Sequence, residues 1–246
     1  MTKLLELHHT KHHYLIKHSV NMSLFVQIIT AIIDLYVLQI SVPESYYILK
    51  QLLLVEFIVQ FVEGSFYVWL ASSFNTVENI TPYRYYDWYL TTPTMLLSFS
   101  IYLIYLKNQE ENKNETKNKK TNSDKKVDIF LVMKKNATTF TYIFLLNALM
   151  LTFGLLGELN IINKYASVFC GFIPFLILFS LIYNNYAKYS TNGTTLFAYF
   201  FIIWSFYGIA ALLPYHLKNI CYNILDLFAK NFFGLYLAYI LWNVAH

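Results

Sequence analysis

Near the end of the chain, residues 220–242 read ICYNILDLFAKNFFGLYLAYILW, an apolar run long enough to cross a bilayer as a helix. It carries two charges, Asp226 and Lys230. A lone lysine at the centre of a bilayer helix costs roughly 2.5–3.5 kcal/mol on insertion scales, so something must offset it. Asp226 lies four residues before Lys230 and shares its helical face. Two readings follow. The pair could be an ion pair that only lets the helix insert, or a reactive amine held dry beside its counterion. A desolvated lysine forms Schiff bases readily.

The rest of the chain is of the same kind. Of its 246 residues, 57% are hydrophobic and only 13% charged, which excludes a soluble domain and implies a multispanning membrane protein. Further apolar spans are expected at about 22–40, 48–70, 82–105, 138–157, 165–183 and 195–214. The expectation is an all-α membrane protein, a seven-helix bundle over 20–246. Residues 1–19 form a polar leading segment, and 107–135 a flexible loop between the third and fourth spans. That loop holds nine lysines and five acidic residues, too polar to pack. By the positive-inside rule it is cytoplasmic, which puts the N-terminus outside and the C-terminus inside. Cys170 and Cys221 both fall in apolar segments and read as small core residues. The pairs His8/His12 and His9/His13 have the spacing of metal ligands on a helix, but no carboxylate or thiol completes a set, so a solvated basic tail is the reading and no metal is expected. Neither a nucleic-acid partner nor an enzymatic reaction is expected.

Polar residues inside the spans fall into stripes. Ser23, Gln27, Thr30 and Asp34 share one face of the first span, and Glu56, Gln60 and Glu63 one face of the second. Glutamates in a membrane segment are costly and should face protein or water rather than lipid. Neutral side chains would join helices at lower cost, so the glutamate stripe reads as functional, while the first stripe is either polar glue between helices or the wall of a water-filled path. The third span opens PYRYYDWYLTTPTMLLS, residues 82–98. Arg84 and Asp87 read as a second intramembrane charge pair. Thr91 sits one turn beyond Asp87, Ser98 lies two turns further, and Pro93 bends the helix locally. Gly154 and Gly157 in the fourth span admit a close neighbour, either a helix or a flat ligand.

A lysine in the seventh span with Asp226 one turn before it, together with R-Y-x-D-W-x-x-T-T-P in the third, resembles the microbial (type I) rhodopsins across all seven spans. The resemblance implies all-trans retinal bound covalently to Lys230 as a protonated Schiff base. It implies Asp87 and Asp226 as the counterion pair, and Arg84 as the gating arginine on the outer side. Trp88, Thr92, Met95, Met150, Gly154, Trp204 and Tyr207 match retinal-pocket positions, with Thr91 beside the counterion. Gly208 stands where many members have proline, and Ala211 where a pocket aromatic is common. Ser98 occupies the position at which outward proton pumps usually carry the carboxylate that returns a proton to the Schiff base, and serine is a poor acid.

The glutamates of the second span, and Asn231 directly after the lysine, are similar to cation channelrhodopsins and to the first group of viral rhodopsins. In those channels a Ser, a Glu and this Asn form a central gate, which the resemblance places at Ser23, Glu56 and Asn231, with Gln27, Gln60 and Glu63 lining the adjoining path. The implied function is a light-gated cation channel in a cell membrane, passing monovalent or divalent cations or protons. The family forms homo-oligomers. A weak outward proton pump and a sensory photoreceptor are the alternatives.

Overall fold

The computed structural model describes residues 2–73, 76–116 and 128–246, with side chains for 14–73, 76–113 and 128–246. His8, His9, His12 and His13 lie outside the described side chains, and residues 117–127 of the expected loop lie outside the description altogether.

Among the described residues, seven apolar helical segments have membrane-spanning length. The helices in chain order are α1 (Thr2–Leu38), α2 (Tyr47–Ser73), α3 (Thr81–Thr116), the short α4 (Ile129–Lys135), α5 (Ala137–Glu158), α6 (Lys164–Asn185), α7 (Thr191–Ala211), α8 (Tyr215–Asp226) and α9 (Phe232–Ala245). A π-turn over Leu227–Asn231 joins α8 to α9, and the three together make the seventh span. Two expectations need correction. Helix α1 runs without a break through residue 19, so the leading segment continues the first helix. The loop expected over 107–135 is helical at both ends, because α3 continues to Thr116 and α4 begins at Ile129. Asp128 caps α4 by accepting from the Phe130 amide, and Gln51 Nε2 ties the same carboxylate to α2 at 3.0 Å.

The ends of the helices follow from local chemistry. Asn163 and Ser190 accept from the backbone amides of Tyr165 and Gly193, capping α6 and α7. Asn160 takes a positive φ of 57° in the tight turn between α5 and α6, a conformation asparagine tolerates better than most residues. Apolar rings such as Phe61, Tyr86 and Phe169 cover the outside of the bundle, as a lipid-facing surface requires. The polar stripes turn inward instead: Asp34, Glu56, Glu63, Arg84 and Asp226 are all fully buried.

The helices pack in sequence around a ring that closes where the seventh span meets α1 and α2. Ser23 in the middle of α1 bonds Asn223 of α8, and Arg84 near the start of α3 bonds Asn219. The start of α6 meets the end of α7 through Lys164 and Leu212, and the end of α5 meets α8 through Glu158 and Lys218. These contacts define one face of the bundle, here the first face. The opposite, second face carries Lys50 bonded to the Ile40 carbonyl and Tyr186 bonded to Asn136.

Candidate functional site

In an ordinary α-helix, adjacent residues point about 100° apart. The π-turn at 227–231 changes this locally: Lys230 and Asn231 are both buried, while Phe228 and Phe232 face outward. Lys230 Nζ reaches three carboxylates, Asp87 Oδ2 at 2.5 Å, Glu63 Oε1 at 3.4 Å and Asp226 Oδ1 at 3.8 Å. The sequence neighbour Asp226 is therefore the most distant of the three, and Asp87, from another helix, is the closest.

Asp226 has other partners. Tyr67 and Tyr207 donate hydroxyl protons to its two oxygens at 2.8 and 2.7 Å, and Arg84 stands 3.5 Å away. This corrects the expected Arg84–Asp87 pair: the guanidinium turns across the bundle to Asp226, Asn219 and Asn223. One turn of α3 separates the two residues in sequence, but the anchoring acceptors stand on α8, joined by the Tyr67 hydroxyl of α2 at 3.4 Å. Thr91 buttresses the site from behind, donating to the Asp87 carbonyl at 2.9 Å.

A cavity opens from Lys230 toward the first face. It encloses about 920 Å³ of empty space, its open mouth included. Trp88, Thr92, Met95, Met150, Gly154, Trp204, Tyr207 and Lys230 all line it, as do Gly208 and Ala211. Its walls are mostly apolar. The Trp88 ring meets Tyr207 edge-on at 5.5 Å and Tyr222 at 5.0 Å. Thr92 is held by the Asn147 amide at 2.8 Å. A Cβ on Gly154 would lie 2.6 Å from the Tyr85 hydroxyl, so this glycine admits a ring edge. A Cβ on Gly157 would run into Ser167, so that one admits α6. At Gly208, a Cβ would sit 2.5 Å from the Phe172 ring, so glycine there lets Phe172 form the cavity wall.

A buried lysine on the wall of a mostly apolar cavity, beside a carboxylate from α3, also describes a known family. Residues 17–244 match the family model described as bacteriorhodopsin-like protein. The chain belongs to the bacteriorhodopsin-like family. Among solved structures it is similar to a viral rhodopsin, OLPVRII, with 25% identity and a TM-score of 0.76, covering 94% of this chain and 99% of that one. Acetabularia rhodopsin I is 20% identical with a TM-score of 0.68, covering 94% of this chain and 95% of that one. Halorhodopsin from Halobacterium salinarum in its bromide-bound form is 17% identical with a TM-score of 0.68, covering 95% and 96%; these two likenesses speak to the fold. No curated protein matches the sequence.

The protein is thus a multi-pass membrane protein of the microbial rhodopsins, whose cofactor is retinal bound covalently to a lysine as a Schiff base. The residues present fit that group. The cavity is mostly apolar and lined by rings, and Lys230 lines it with its Nζ at hydrogen-bonding distance from a carboxylate. The other lysine on its wall, Lys164, is committed at the mouth to the Leu212 and Leu213 carbonyls.

The polar stripes form a second assembly between α1, α2 and the seventh span. Gln27 faces Gly64, and Gln60 Nε2 donates to Asp34 Oδ2 at 2.7 Å beside Gly234. Toward the second face, the Ser98 hydroxyl donates to Glu56. The expected gate of Ser23, Glu56 and Asn231 is not brought together. Ser23 bonds the Asn223 carbonyl on the first-face side of Lys230, and Glu56 lies two turns, about 10 Å, beyond Glu63 on the other. The Asn231 amide makes no hydrogen bond within the protein. The glutamate level with Lys230 is Glu63.

Asn147, Tyr67, Asn219 and Asn223 are functional neighbours that the sequence reading passed over. The last two had a visible signal, since Asn219, Asn223 and Asp226 fall four and three apart on one helical face. Tyr67 stands one turn beyond Glu63 and extends the α2 stripe in the same way.

Proposed function

We propose that this protein is a light-gated cation channel. The observation that carries the reading is the run of buried polar atoms that make no hydrogen bond within the protein between α1, α2 and the seventh span: both amide atoms of Gln27, Asp34 Oδ1, Glu56 Oε2, Gln60 Oε1, both oxygens of Glu63 and the Asn231 amide. An unpaired buried polar atom costs about 1–3 kcal/mol, so a continuous series of them calls for water. Three carboxylates along that water would favour cations over anions by simple charge.

Two hydrogen-bonded constrictions would hold the path shut in the dark. On the first-face side, Arg84, Tyr67, Asn219, Asn223 and Asp226 form one network. On the second-face side, Ser98 bonds Glu56, and the hydroxyls of Tyr102 and Tyr236 meet at 2.9 Å. Retinal on Lys230 supplies light absorption and the isomerisation that starts the cycle. Asp87 Oδ2 is placed to accept the Nζ proton. Once Asp87 holds that proton, Asp226 loses one of the two cations beside it. Arg84 is then the remaining buried cation beside Asp226, and its network must rearrange.

A second reading, an outward proton pump, is favoured by one observation. Ser98 is a poor acid, yet its hydroxyl bonds a buried carboxyl, Glu56, so α2 puts an acid where α3 lacks one. Whole-cell recording under light, with different cations on the two sides, separates the two. A photocurrent that reverses sign with voltage and follows the cation gradient supports the channel. An outward current that never reverses refutes it and supports the pump. With the N-terminus outside, as the lysine-rich loop implies, Glu56 and Ser98 stand on the cytoplasmic side of Lys230 in either reading.

A further inference from the structure

The cluster around Lys230 has more acid than base. Asp87, Asp226 and Glu63 lie within 4 Å of its Nζ, and Arg84 is the only further cation on the cluster among the described residues, paired to Asp226. With every group ionised, three negative charges would face two positive ones, all fully buried. A net charge in such a place is strongly disfavoured, so one carboxyl should hold a proton.

Hydrogen bonds decide which one, because a carboxylate that accepts donors is held in its charged form. Asp226 accepts from Tyr67 and Tyr207 and has Arg84 beside it. Asp87 accepts from Lys230 Nζ at 2.5 Å. Glu63 accepts no hydrogen bond at either oxygen, and among the described residues the one cation paired with it is Nζ at 3.4 Å. The groups facing it are Lys230 and Asp226 from the seventh span, Asp87 from α3, Tyr67 from its own helix and Tyr207 from α7. None of these gives Glu63 the donors that Asp226 receives.

We propose that Glu63 is a third member of the counterion cluster and holds the compensating proton in the dark. The cluster is then neutral, with Lys230 and Arg84 balanced by Asp87 and Asp226. Glu63 acts as a charge reserve: if either aspartate loses its negative charge, the Glu63 proton can leave and restore the balance. The inference rests on Lys230 carrying retinal and holds for a channel or a pump alike.

The test is the infrared spectrum of the retinal-loaded protein in the dark, wild type minus Glu63→Gln, recorded in water and in heavy water. The expected result is a protonated carboxyl carbonyl band in the wild type, shifted in heavy water and absent from the variant. The visible maximum should stay nearly unchanged, because glutamine replaces one neutral group with another. A carboxylate band in its place, or a large red shift of the visible maximum in Glu63→Gln, would show that Glu63 is charged in the dark and overturn the proposal. Should Glu63→Gln fail to assemble, Asp87→Asn provides an independent reading. Neutralising Asp87 should remove the Glu63 carbonyl band as Glu63 ionises to replace it, and persistence of that band would equally overturn the idea.

Discussion

Lys218 and Glu158 tie the start of α8 to the end of α5 at the mouth of the retinal cavity, and the strength of that tie can be measured. Lys218 Nζ lies 2.7 and 2.5 Å from the two Glu158 oxygens, and the side chains are only 11% and 10% exposed. Removing one partner of a fully buried ion pair costs about 3–5 kcal/mol, mainly because the other charge is left uncompensated. This pair sits at the edge of the bundle, where water can reach the stranded charge, so the expected loss for Lys218→Met is about 2–3 kcal/mol. A loss of 2 kcal/mol is roughly a 30-fold fall in the ratio of folded to unfolded protein. Adding Glu158→Gln removes the stranded carboxylate, and the double variant should regain more than half of the deficit. The assay is loss of the visible retinal band as denaturing detergent replaces mild detergent, read as a midpoint for wild type, both single variants and the double variant. A Lys218→Met midpoint that corresponds to less than about 0.5 kcal/mol would place the pair among ordinary surface contacts and refute the argument. A double variant no better than Lys218→Met would show that lost packing, not the uncompensated charge, sets the cost.

Other expectations follow from single contacts. Lys230→Ala should abolish the visible band on adding retinal and leave three buried carboxylates short of a cation, so the apoprotein should also denature more readily; a retained band would mean another lysine carries retinal. In Gly234→Ala the new Cβ would sit 2.7 Å from both Asp34 Oδ2 and Gln60 Nε2, breaking their hydrogen bond; photocurrents should fall with the visible band intact, and unaltered currents would move the ion path elsewhere. Tyr207→Phe removes the donor to Asp226 Oδ1, a hydrogen bond to a charged group worth about 1.5–3 kcal/mol, so the visible maximum should shift and the midpoint fall; no change in either would mean that bond is not made in the loaded protein. Gly208→Ala brings a Cβ to 2.5 Å from Phe172, so uptake of added retinal should slow measurably, and a wild-type rate would mean the ring swings aside freely.

Much of this site could be read from the chain because membrane helices write their chemistry plainly. A charge in a span is expensive, so Lys230, Asp226, Asp87, Arg84, Glu56 and Glu63 each stand out against an apolar background. Helical periodicity then shows which polar residues share a face, as Ser23, Gln27, Thr30 and Asp34 do. Both signals are local, carried within one helix, and they determined the seven spans, the lysine and the inward faces without reference to any neighbour. Pairing across helices is a different matter, because it depends on how each helix is rotated and how deep it sits. Periodicity within α3 put Arg84 beside Asp87, but the bundle turns the guanidinium to acceptors on α8. The same limit moved the glutamate level with Lys230 from Glu56 to Glu63, and gave Ser98 a carboxyl partner from another helix. Only the packed bundle decides these, since a shift of two helical turns, about 10 Å, exchanges one partner for another while leaving every helix's own pattern unchanged.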